Sequence, residues 1–174
     1  MLPETVFSRA IDPWLEKIGN WTSVLWVVLL VIIVVNVMLR YLFDIGRIEF
    51  EEIQWHIYST GFLLGLSYAY QSDSHIRVDV LHENFSPKLQ AWLEFYGIVL
   101  FLLPFILLIL IFSIPFVAVS FELGEVSQAP GGLPFRWAIK AILPLGFFLL
   151  LLGACSRLTR VWAFLFTGAK NGAQ

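Results

Sequence analysis

The residues with most chemistry to offer are three histidines, His56, His75 and His82, and an acidic run, Glu49, Glu51 and Glu52, beside Arg47. Imidazoles on facing helices could hold a haem, and clustered carboxylates can relay a proton or bind a cation. Only His56 falls inside an apolar stretch; His75 and His82 fall at or beyond its far end, so a matched axial pair is hard to build within one chain. The acidic run opens a stretch with no charge before Asp73. It therefore reads as the solvated first turn of a helix, where the helix dipole favours carboxylates, or as a partner contact. Between His75 and Val80 apolar and polar residues alternate, and Arg77 and Asp79 are close enough to pair across a tight connection. Ser127 to Pro134 carries Pro130-Gly131-Gly132 and a further proline, a conformationally restricted loop that suits docking. No Ser-His-Asp spacing, phosphate-cradling glycine loop or metal-binding helix motif occurs. A single cysteine, Cys155, excludes an internal disulfide and cysteine-only zinc sites.

The elements that must position these groups are set by lipid. Of 174 residues, 59% are hydrophobic and only 14% charged, with a mean hydropathy of +0.80. A water-soluble core cannot hide that much apolar surface. The net charge of -2 has no basic excess, which argues against nucleic acid. Four stretches bounded by charges are long enough to cross a bilayer: from Trp21 to Leu39, between Glu52 and Asp73, from Phe95 to Phe121, and from Ile139 to Val161. The expected fold is all-α integral membrane, a single domain over 1–174 with spans at 21–42, 52–72, 93–121 and 137–166. Residues 1–19 form an interfacial amphipathic segment, with Phe7, Ile11, Trp14, Leu15 and Ile18 at helical spacing. Asp12 followed by Pro13 predicts a helix start there. Lys140 and Arg157 stand where their stems could snorkel to the two headgroup layers. Lysine and arginine favour one side, with Arg9, Lys17, Arg77, Lys88, Arg157, Arg160 and Lys170 against Arg40, Arg47, Arg136 and Lys140, so both termini are expected in the cytoplasm.

Taken in order, these pieces resemble the small membrane subunit of tripartite ATP-independent periplasmic (TRAP) transporters, the Q-type small permease. The resemblance covers nearly the whole chain. It rests on four spans, Arg40-Tyr41 closing the first, Glu51-Glu52 opening the second, His75-Ile76-Arg77-Val78-Asp79 on the inner loop, and Ser127 followed by Pro134 and Pro144-Leu145-Gly146. It implies a non-catalytic scaffold in the bacterial inner membrane. The partners it implies are membrane lipids, a large permease subunit that carries the substrate and sodium sites, and a periplasmic substrate-binding protein that delivers organic acids. No cofactor is expected on this chain. Arg40, Glu51, Glu52, Arg77, Asp79, Pro134 and Pro144 match family features and are expected to shape subunit contacts. Arg47, Glu49, Glu122, Glu125 and Arg136 are expected to form the outer docking face for the binding protein. The alternative is a membrane anchor of a haem-containing oxidoreductase, with His56 as ligand.

Overall fold

A computed structural model describes residues 2–73 and 85–167, which contain helices and connections but no strand. Four long helices follow one another: α1 (Val6–Phe43), α2 (Ile48–Gln71), α3 (Pro87–Glu122) and α4 (Arg136–Thr167). At 1.5 Å per residue they are about 57, 36, 54 and 48 Å long. Three of them, α1, α3 and α4, are long and apolar enough to cross a membrane. The loop end of the bundle carries the α1–α2 turn and the α3–α4 loop; the opposite, terminal end carries Thr5 and Thr159.

At the amino end the structure corrects the expected break. The helix begins at Thr5, whose hydroxyl accepts from the Ser8 amide at 3.1 Å while Ser8 Oγ accepts from the Thr5 amide at 2.9 Å, a reciprocal capping box. It then runs through Pro13 without interruption. Asp12 is not a cap. Its carboxylate accepts from Ser156 Oγ at 2.5 Å and lies 3.6 Å from Arg160, and its backbone carbonyl accepts from Gln71 Nε2 at 3.0 Å. Ser8, Leu15, Gly19, Thr22 and Leu29 are buried along one stripe, so packing carries the helix past the missing proline N–H.

The helices pack around α4, which touches the other three, while α1 also lies along α2. In lipid, apolar surface alone does not drive helices together, so small residues that permit close approach decide where they meet. A Cβ on Gly146 of α4 would stand 2.7 Å from the Leu63 carbonyl oxygen of α2. One on Gly153 would lie 3.5 Å from Leu15 of α1 and 3.8 Å from the Ser67 carbonyl of α2. Ile106, Phe147, Leu150 and Ala154 form the buried centre between α3 and α4.

Within α3 the turn Ile98–Leu102 widens to π geometry, with the Leu103 amide bonded to the Ile98 carbonyl. Pro104 follows and can donate no hydrogen bond. A wider turn gives its ring room where α geometry would press it against the carbonyl four residues back. At the terminal end, Arg157 of α4 donates to Glu94 of α3 at 2.5 Å and to Asp73 at 3.3 Å, and Thr5 and Thr159 hydroxyls bond at 2.9 Å. Arg157 therefore ties α4 to α3 and to the end of α2.

Candidate functional site

The densest polar cluster lies at the loop end, where the chain between α3 and α4 folds back over the start of α2. Glu52, in the second turn of α2, is only 5% exposed. One carboxylate oxygen accepts from Ser127 Oγ, and the other from the Leu133 amide at 2.5 Å. The loop between those two donors is closed on itself: the Ser127 amide donates to the Leu133 carbonyl at 3.2 Å and the Gly132 amide to the Ala129 carbonyl at 2.9 Å. Gly131 has φ +79°, a conformation that suits glycine. A Cβ on Gly132 would meet Ser127 Cβ at 2.5 Å and Glu52 Oε1 at 2.9 Å, so only glycine lets the loop sit this close. Glu52 is thus a latch for the loop, not the solvated helix-start carboxylate expected.

A second carboxylate organises the other side of the loop. Glu125 accepts from Ser120 Oγ at 2.7 Å and from Lys140 Nζ, and its Oε1 lies 3.7 Å from Arg136 Nε. Its backbone joins the same knot, the carbonyl accepting from the Arg136 amide at 3.1 Å. The Lys140 ammonium and the Ser120 hydroxyl hold the Glu125 carboxyl below the usual carboxylate range. Lys140 also stands over the Phe116 ring at 4.2 Å from its centroid. Lys140 thus bridges the loop and α3 from the second turn of α4.

Between these two knots opens a cleft of about 290 Å³, whose lining includes Glu52, His56, Ser59, Phe116, Arg136 and Lys140. His56 Nδ1 is bonded to the Glu52 carbonyl of its own helix. A separate shallow groove of about 330 Å³ is lined by Arg40, Arg47, Glu49, Glu51, Pro130 and Gly131, with Arg40 and Glu51 paired at 3.6 Å. Among the described residues no group of three or more His, Cys, Asp or Glu could hold a metal ion.

The structure brings together most residues singled out from sequence, but in two sets. Arg40, Arg47, Glu49 and Glu51 share the shallow groove. Glu125 and Arg136 turn toward each other and Lys140, while Glu122 ends α3 exposed. Pro134 precedes Phe135, whose φ of 60° turns the chain into α4, and Pro144 lies inside α4 two residues before the close approach at Gly146. Arg77 and Asp79 lie outside the described residues. Sequence reasoning missed the joint role of Ser120 and Lys140; the one signal was the placement of Lys140 near a helix start.

Residues 29–164 match the family described as tripartite ATP-independent periplasmic transporters, DctQ component. The match takes in both knots and begins after the terminal part of α1. A comparison with curated proteins finds no match.

Proposed function

The chain belongs to the small-subunit family of TRAP transporters, and from that premise we propose that it is the fixed, non-catalytic scaffold of a sodium-coupled importer of organic acids. The family match over residues 29–164 carries this reading, and it is also what favours a transporter subunit over a haem-binding anchor. In this reading α2 is a fourth crossing: its length of about 36 Å exceeds the roughly 30 Å hydrocarbon core, and α1 and α4 pack along it. Both termini lie in the cytoplasm, which places the loop end at the periplasm of the bacterial inner membrane. The broad apolar faces of α1 and α3 are then covered by lipid and by a large permease subunit. Transported solute and sodium pass through that subunit. The groove lined by Arg47 and Glu49, with Glu122 near the α3 end, receives the periplasmic binding protein, and the Glu52 and Glu125 knots keep that surface in one shape.

The test is co-purification from native membrane in mild detergent, followed by reconstitution. The expected result is a complex with a many-span permease that accumulates a labelled organic acid only with an inward sodium gradient and a binding protein. Recovery of a flavin or iron-sulfur protein instead, or uptake that ignores sodium, would overturn the reading.

A further inference from the structure

The cleft between α2 and α3 holds donors that the loop knots use only in part. Its lining sets one carboxylate, Glu52, against two basic side chains, Arg136 and Lys140, and both Glu52 oxygens are already taken by the loop. Arg136 spends little of its capacity: its Nε lies 3.7 Å from Glu125 Oε1, an ion pair longer than a hydrogen bond, and the guanidinium has five N–H donors. The Ser59 hydroxyl has no hydrogen-bond partner among the described residues. Beyond the contacts with Glu125, the remaining donors of Arg136 and Lys140 on α4 and the Ser59 hydroxyl on α2 face one space, a set that suits a ligand with several anionic oxygens.

The walls say where that ligand comes from. Phe116 is half exposed and continues along α3 into Phe112 and Phe105, which are more than half exposed. Trp55 stands 53% exposed at the rim, an aromatic placement suited to the membrane interface. Ser59 lies seven residues below Glu52, about 10 Å along α2, so the cleft descends from headgroup depth toward the acyl region. Its volume of about 290 Å³ fits a headgroup and its phosphate, leaving acyl chains to run over the exposed α3 aromatics.

We propose that this cleft binds the phosphodiester of one phospholipid from the leaflet at the loop end, with Arg136, Lys140 and Ser59 donating to its oxygens. The lipid then acts as a wedge between α2 and α3, which meet chiefly through α4 at this level. The site does not depend on which way round the bundle sits in the membrane, nor on the identity of its protein partner.

Native mass spectrometry of the full-length protein, delipidated in detergent and titrated with phosphatidylglycerol, tests it. The wild-type chain should retain one tightly held lipid. An Arg136→Gln, Lys140→Met double variant should hold it about tenfold more weakly, the loss expected for one or two charge-assisted hydrogen bonds. Because that variant also loosens the Glu125 knot, Ser59→Phe serves as a second probe, filling the cleft from α2 and leaving Glu125, Arg136 and Lys140 untouched. A similar loss in Ser59→Phe supports the site. Unchanged retention in Ser59→Phe would overturn it. So would displacement of the lipid by millimolar inorganic phosphate, which would mark a free-anion site instead.

Discussion

A few atoms decide whether the α3–α4 loop holds its shape. Gly132 has no room for a methyl group between Ser127 and Glu52, so Gly132→Ala should pull the loop off its latch, at a cost of about 1–3 kcal/mol for an overpacked site. Hydrogen exchange at the Leu133 amide reads this directly, since that N–H is donated to Glu52; protection equal to wild type would mean that the loop is held elsewhere. Glu125 gives a pH-dependent counterpart. Its folded carboxyl is held below its ordinary range by Lys140 and Ser120, so it binds fewer protons folded than unfolded through that window. Its contribution is complete above the usual carboxylate range and fades as pH falls through the lowered value. Thermal unfolding of wild type and Glu125→Gln should therefore differ at neutral pH and converge in acid; a constant gap would assign the effect to something other than this titration. The position of Glu52 at the start of an apolar run was legible because charges at the ends of such runs announce themselves. The burial of Glu52 was not, because it depends on a loop returning from Ser127 and Leu133, far along the chain, and no local pattern encodes that return.

Helix positions were legible where lipid dictates them and less so where packing overrides local signals. The apolar runs located α1, α3 and α4, since hydrocarbon demands roughly twenty such residues whatever the neighbours do. The start of α1 was misplaced because Asp12-Pro13 is a sound local start signal. Ser156, Arg160 and Gln71 claim Asp12 instead, and these lie on other helices. The π turn before Pro104 likewise needs a backbone adjustment that proline alone does not specify. The contact most specific to this bundle is Gly146 against the Leu63 carbonyl. A backbone oxygen cannot swing aside as a side chain can, so Gly146→Val must move α4 away from α2 along its length. The expected penalty is about 1–3 kcal/mol, seen as a lower unfolding temperature in detergent. Gly65→Ala, with nothing within 4 Å of its added methyl, is the control that should leave it unchanged or slightly raised.

At the scale of the molecule, the bundle is tied at both ends by polar knots and joined between them by small-residue contacts, as the proposed scaffold role requires. The terminal knot is the better test of this, because there one side chain holds three segments. Arg157, whose side chain is 15% exposed, reaches Glu94 at the start of α3 and Asp73 just past α2. Outside this knot, α3 depends mainly on its apolar packing against α4, and such packing competes with lipid, which is equally apolar. Arg157→Met keeps much of the stem and removes the charged donors that reach Glu94 and Asp73. The expected loss is about 1.5–3 kcal/mol, the range for hydrogen bonds to charged groups, with α3 separating from α4 before the rest of the bundle melts. A cysteine pair bridging the terminal ends of α3 and α4 would report that separation as a fall in disulfide yield on mild heating, while a pair between α1 and α2 would not change. If both pairs lost yield together, the bundle would unfold as one unit, and the terminal knot would be one contributor among many to a uniformly cooperative fold.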